Sequence, residues 1–321
     1  MKAYSNEVEA AEALRAAYEK LKQEISKVIV GQDEVVKLVL TSIFCQGHSL
    51  LVGVPGLAKT LLIKSISDAL NLTFNRIQFT PDLMPSDIIG AETLDNERKF
   101  KFIKGPVFAN IILADEINRT PPKTQSALLE AMQEYAVTIA GEQHGLDKPF
   151  FVLATQNPIE QEGTYPLPEA QLDRFMFNIL LDYPSYAQEV EIVKNTTSVQ
   201  QERINKVISK EEIVEFQQLI RKVPVADNVV EYAVTLVQKS RPGTASAADI
   251  ANTYLEWGAG PRGSQHLITG AKFNALINGK FSPDIEDIQA IAKPILRHRI
   301  LRNFKAEAEN ITVDHIIEEL L

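Results

Sequence analysis

Lys59 and Thr60 close the run Gly53-Val54-Pro55-Gly56-Leu57-Ala58-Lys59-Thr60, the strongest chemical signal in the chain. The run follows the apolar stretch Ser49-Leu50-Leu51-Val52 and precedes a helical pattern over residues 61–70. Strand, glycine-containing loop, then Lys-Thr opening a helix is the order that a phosphate-binding loop requires. Glycines let the backbone curl so that several N–H groups converge, and the helix N-terminus adds the positive end of its dipole. A lysine at this place can reach the β- and γ-phosphates of a nucleotide, and a threonine hydroxyl can hold Mg2+. The strict pattern has Gly directly before the Lys, where this chain has Ala58. A Pro-Gly turn joining a strand to a helix is the plainer reading of the same residues.

A phosphate loop needs acids on a partner strand, and Ile111-Ile112-Leu113-Ala114-Asp115-Glu116 offers them. A buried strand ending in Asp-Glu puts both carboxylates at the edge of an α/β sheet where ligands bind. Asp115 could hold Mg2+ through its water shell, and Glu116 could orient or deprotonate an attacking water. Two solvated acids at a strand end would look the same. A further apolar run, 150–154, leads into Thr155-Gln156-Asn157-Pro158. Asn157 there could hydrogen-bond the water without adding negative charge, or could simply start an Asn-Pro turn.

These groups must be positioned by a scaffold, and the pattern of the chain indicates which. Residues 7–28 carry apolar positions at helical spacing, and a second helix is expected from Asp33 towards Phe44. Apolar runs at 49–52, 73–79, 110–114, 150–154 and 176–181 read as buried strands separated mostly by helices. The first half is therefore expected to be a doubly wound, parallel five-stranded α/β sheet. Two stretches interrupt it: a polar insert at 80–105 and a hairpin pattern at 137–150. Tyr183-Pro184-Ser185 reads as a hinge, so the expected domains are 1–184 and 185–321. Beyond the hinge the patterns are helical, at 187–197, 210–221, 227–240, 263–278 and 282–298, giving a small all-helical second domain. Ser282-Pro283-Asp284 is a helix-start signal.

Composition narrows the class. The 321 residues are 45% hydrophobic and carry a formal charge of -9, with a pI near 5.2. That disfavours a standing basic surface for duplex DNA. A lone Cys45 gives no internal disulfide and points to a reducing compartment; it reads as a small buried residue ahead of the first strand. The N-terminus is not signal-like and no stretch suits a bilayer span, so a cytoplasmic location is expected. The five histidines lack metal-site spacing.

The loop, Asp115-Glu116, Asn157 and a helical C-terminal part together resemble an AAA+ P-loop ATPase. The strings GVPGLAKT (53–60), DEINRTPPK (115–123), QSALLEAMQE (125–134) and EGTYPLPEAQLDRF (162–175) resemble those of the MoxR family over nearly the whole chain. That family commonly carries Ala at the position of Ala58. The resemblance implies ATP and Mg2+ as cofactors and a helical lid domain, and assigns further roles. Asn157 matches the sensor-1 residue. Arg174 matches the arginine finger that acts on a neighbouring subunit's ATP, and Arg262 matches the sensor-2 arginine of the lid. Val30, Gly31 and Gln32 match the segment near the adenine. From local sequence alone, Arg174 reads first as a salt-bridge partner of Asp173 or Glu169.

An arginine acting across a subunit boundary implies a ring, hexameric in the family. The resemblance implies a chaperone-like remodeller whose partners carry von Willebrand factor A domains and which assists metal or cofactor insertion or complex maturation. A magnesium-chelatase motor subunit, a DNA-acting AAA+ motor and a non-hydrolysing nucleotide switch are the alternatives. The acidic balance and the absence of a helix-turn-helix or zinc module disfavour the DNA motor. The presence of Glu116, Asn157, Arg174 and Arg262 disfavours the switch.

Overall fold

The structure, a computed structural model, describes residues 4, 6–94, 99–159, 163–197 and 203–321. Part of the expected insert (95–98) and Glu162, which opens the fourth string, lie outside the described residues.

Along the chain, α1 (Glu7–Ser26) and α2 (Asp33–Phe44) precede β1 (Ser49–Gly53) and α3 (Lys59–Ala69). Next come β2 (Phe74–Gln78), a short α4 (Pro85–Ile89) and the antiparallel pair β3 (Gly90–Leu94) and β4 (Phe100–Lys104). They are followed by β5 (Ile111–Asp115), α5 (Pro122–Glu134), the hairpin β6 (Ala136–Ile139) and β7 (Glu142–Gly145), then β8 (Phe151–Gln156), α6 (Glu169–Leu172) and β9 (Phe177–Leu181). The remainder is α7 (Tyr186–Thr196), α8 (Lys210–Lys222), α9 (Asp227–Lys239), α10 (Asp249–Tyr254), β10 (Leu255–Trp257), α11 (Pro261–Ile277), α12 (Ile285–Leu296), β11 (Leu301–Arg302), α13 (Phe304–Ala308) and α14 (Val313–Leu320).

The five apolar runs form one sheet in the order β2-β5-β8-β1-β9. The pairs β2–β5, β5–β8 and β8–β1 are parallel. Register sets Gln78 beside Asp115 and Val52 beside Gln156, so the carboxyl ends of four strands reach one edge together. Strand β1 lies between β8 and β9, where the order of the strands reverses. In doubly wound sheets that reversal opens the crevice used by ligands. The interior strand β5 is apolar on both faces because both are covered: Ile111, Ile112, Leu113 and Ala114 are fully buried. Burying each large aliphatic side chain of this kind stabilises the fold by roughly 1.5–3 kcal/mol.

The chain divides into two compact units. The first, Ala17–Leu167 with Ile179–Val214, contains the loop after β1 and both strand pairs. The expected hairpin at 137–150 is present as β6–β7, and the polar insert contains α4 and β3–β4. Phe102 of β4 stacks on His144 of β7 with ring centroids 4.2 Å apart.

The second unit comprises Pro168–Asn178 and Glu215–Leu321 with the N-terminal stretch up to Ala16. Here α11 packs on α9 and α12. A Cβ at Gly270 would come within 2.6 Å of Ile291 Cδ1, so any larger residue there would displace the end of the Ile291 side chain between α11 and α12. The start signal before α12 is realised at Asp284, which accepts from Asp287 N at 3.2 Å while Asp287 Oδ2 accepts from Asp284 N at 3.0 Å. This region is helical with one addition, the antiparallel pair β10–β11. Strands of two or three residues are too short to show an alternating pattern in sequence. Cys45, expected to be buried, is partly exposed at the C-cap of α2. No described helix is long and apolar enough to cross a membrane.

Candidate active site

Strand β1 ends at Gly53 for a steric reason. A Cβ there would meet Leu181 Cβ at 2.8 Å and Leu181 O at 2.9 Å, so only glycine lets β1 and its neighbour approach. The loop then turns through two left-handed residues. Gly56 has φ +86°, and Ala58 has φ +54° and ψ +26° as the N-cap of α3. Ala58 therefore adopts the conformation that a glycine would take freely at this place, and carries its cost. Helix α3 begins at Lys59, whose Nζ donates to the Gly53 carbonyl. Burial lowers the Lys59 pKa, while the charges of Asp115 and Glu116 oppose that shift.

Facing the loop are the two acids. Asp115 closes β5, and Glu116 directly after it is also left-handed, with φ +58°. One hydroxyl serves both: Thr155 Oγ1 donates to Asp115 Oδ1 at 2.7 Å and accepts from Glu116 N at 2.9 Å. Arg76 donates to Asp115 Oδ2 through Nε at 3.1 Å and Nη2 at 2.5 Å. Glu116 Oε2 accepts from Gln78 Nε2 at 2.8 Å and from Arg119 Nη1 at 3.1 Å. Asn157, almost buried, follows β8; its Oδ1 accepts from Ile159 N at 3.1 Å.

Lys59, Thr60, Asp115, Glu116 and Asn157 line one cleft of about 500 Å3, together with Pro55, Gly56, Leu57 and Ala58. That volume falls in the range of small-ligand sites, roughly 300–1,000 Å3. A cation, a hydroxyl and two carboxylates converging on a loop with left-handed turns suit a polyphosphate and its metal ion. Gln32 approaches from the start of α2, where its Nε2 donates to Leu57 O at 3.3 Å. Val30 and Gly31 do not line the cleft.

Sequence reasoning missed several residues here. Arg76 and Gln78 project from one face of β2 into the cleft, and Thr155 sets the acids. Their signal was polar residues two apart on a strand otherwise read only as buried. Gln125 of α5, also missed, is fully buried and donates to Ile117 O, Thr120 O and Tyr165 O at 3.2, 3.1 and 3.0 Å. It fixes the turn after Glu116 to the segment that contains Tyr165.

Arg174 and Arg262 belong to the second unit. Arg174 is half-buried just beyond α6, and among the described residues it forms no ion pair. Its neighbour Asp173 is paired elsewhere: Oδ2 with Arg262 Nη1 at 3.0 Å, Oδ1 with Arg299 Nε at 2.8 Å. Arg299 is nearly buried and also donates to the carbonyls of Asp173 (2.9 Å), Phe175 (2.6 Å) and Met176 (3.3 Å). A guanidinium with so many carbonyl partners pins the turn that carries Arg174.

Comparison with known proteins agrees with this geometry. Residues 48–177 match the model of the ATPase family associated with various cellular activities (AAA), and residues 247–320 match the AAA lid domain. An uncharacterized protein YeaC of Bacillus subtilis is 41% identical over 93% of this chain and 91% of its own length. The chaperone MoxR1 of Mycobacterium tuberculosis is 41% identical over 93% of this chain and 79% of its own. A crystal structure from Cytophaga hutchinsonii, put forward there as an ATPase, superposes with a TM-score of 0.91 at 43% identity, covering 97% of this chain and 95% of that one.

Proposed function

Because the chain belongs to the MoxR family of AAA+ ATPases, we propose that it hydrolyses ATP to ADP and phosphate in the cleft at the end of β1 and β5, and spends that reaction on remodelling partner proteins. The observation that carries the reading is the convergence of Lys59, Thr60, Asp115, Glu116 and Asn157 on one cleft. Each has a distinct task there. The loop 53–60 cradles phosphates with backbone N–H groups, and Lys59 neutralises the β- and γ-oxygens. Thr60 and Asp115 are the residues that would hold Mg2+, which when bound supplies charge neutralisation between the phosphates. Glu116, its carboxylate aimed by Gln78 and Arg119, activates the attacking water, and Asn157 orients it. Val30, Gly31 and Gln32 flank the base.

Arg174 acts as the arginine finger on the site of a neighbouring copy, and Arg262 as the sensor-2 arginine of the lid, with the working domains taken as 1–184 and 185–321. A finger working across subunits requires a closed ring of copies, hexameric by resemblance. The relative named as a chaperone supports protein clients. The family resemblance points to partners with von Willebrand factor A domains, and to maturation or metal insertion as the purpose.

The test is Glu116→Gln. ATP should remain bound while turnover falls by at least about 100-fold, the usual size of a general-base contribution. Light scattering with an ATP analogue should show ring assembly, and the trapped form should retain a von Willebrand factor A protein. Full turnover by Glu116→Gln, or by a strictly monomeric particle, would overturn the reading.

A further inference from the structure

Asp173 holds two arginines on opposite oxygens, and the two are not alike. Arg299 lies on Oδ1, has 1% of its side chain exposed and is tied to the backbone of the same turn. That bond is a permanent part of the packing. Arg262 lies on Oδ2 through a single nitrogen at 3.0 Å, with 40% of its side chain exposed. An exposed, monodentate pair is the kind that exchanges at low cost. Arg262 also sits in the first turn of α11, where the helix dipole does not favour a cation, so a carboxylate is needed to keep it there.

We propose that Asp173 is a positioning residue that stores Arg262 on its carboxylate and competes for it with the phosphates of bound ATP. The inference rests on the sensor-2 role given to Arg262 above, and adds to it a competitor within the chain. Arg299 holds the carboxylate in place whether or not Arg262 is on it. Nucleotide binding then carries the cost of breaking one ion pair. Releasing Arg262 also leaves the Asp173 carboxylate with Arg299 as its ion-pair partner, directly beside Arg174. The state of one nucleotide site is thereby felt at the residue assigned to the next subunit's site.

The experiment compares the affinity of a non-hydrolysable ATP analogue for the wild-type chain, Asp173→Asn, Arg262→Gln and the double variant. Asparagine keeps an acceptor for Arg299 but presents an uncharged amide to Arg262. If Asp173 stores Arg262, Asp173→Asn binds the analogue about two- to five-fold more tightly, the size of a half-exposed ion pair. The same change made in Arg262→Gln then has no effect. A residue that only supports the fold would weaken binding in both backgrounds. If Arg262→Gln weakens binding while Asp173→Asn does not tighten it, the storage role is overturned and the function above stands. If Arg262→Gln binds as the wild type does, the sensor-2 assignment falls too. Should Asp173→Asn not fold, nitrogen NMR of the Arg262 guanidinium in Glu116→Gln decides. The signal should leave its paired position when the analogue is added, and an unmoved signal overturns the proposal.

Discussion

Ala58→Gly should stabilise the protein, although it removes a methyl group. Ala58 sits at φ +54° and ψ +26°, a left-handed conformation that costs an L-residue about 1–2 kcal/mol. Glycine escapes that cost but makes the unfolded chain freer, which subtracts about 0.4–1 kcal/mol. The alanine methyl is exposed, so no packing is lost. The net expectation is a gain of about 0.5–1 kcal/mol. For a unit of this size that raises the midpoint of thermal unfolding by about 1–4 °C. Gly56 provides the reciprocal change two residues away. Its φ is +86° and a Cβ there would meet nothing within 4 Å, so no clash adds to the torsional and chain-entropy terms in Gly56→Ala. It should lower stability by the same net amount, about 0.5–1 kcal/mol. Calorimetry on both variants without nucleotide reads the two signs. Ala58→Gly less stable than the parent, or Gly56→Ala neutral, would refute the assignment of backbone strain to this loop.

Other expectations follow from the same geometry. Lys59→Ala should abolish nucleotide binding in a fluorescent-nucleotide titration, because it removes the one lysine among the described residues that line the cleft. If Arg174 is the proposed arginine finger, Arg174→Ala should leave nucleotide affinity unchanged in the same titration while turnover falls by about 10³-fold or more. His48 is buried, its Nδ1 accepting from Val152 N at 3.1 Å and its Nε2 donating to Met132 O at 3.0 Å, and burial lowers its pKa from 6.5 to about 4. The unfolded chain therefore takes up a proton as pH falls through 6.5 and the folded chain does not. Stability should decline between pH 6.5 and 4 by up to about 3 kcal/mol from this group. Urea unfolding across that window should show a shallower decline in His48→Gln, with His298, also lowered by burial, supplying much of what remains.

The inner strands β1, β5 and β8 were the most legible because each is a short apolar run bounded by turn residues, and burial on both faces leaves no alternation to misread. The nucleotide cleft was legible because its parts lie at the ends of those strands, and sequence order alone brings them to one edge. What could not be read is whatever depends on distant partners. Arg299 lies 126 residues from Asp173, and in sequence it is one more basic residue after a helix. The hint was a basic triplet, Arg297-His298-Arg299, flanked by Leu296 and Ile300, since such a segment must bury its charges against something. Arg76 and Gln78 were hidden for a related reason. Their strand is at the edge of the sheet, where polar side chains are tolerated without announcing a role. The pair β10–β11 is too short for any periodic signal.

The strand order has a consequence for synthesis. β1 finds no partner among the strands made soon after it; its neighbour β8 pairs Ser49 with Leu153, 104 positions later. At about 5–20 residues per second on the ribosome, the phosphate loop emerges several seconds before its strand can be zipped into a sheet. During that interval Leu50 and Leu51, buried in the folded sheet, stay exposed on the nascent chain and prone to non-native contacts.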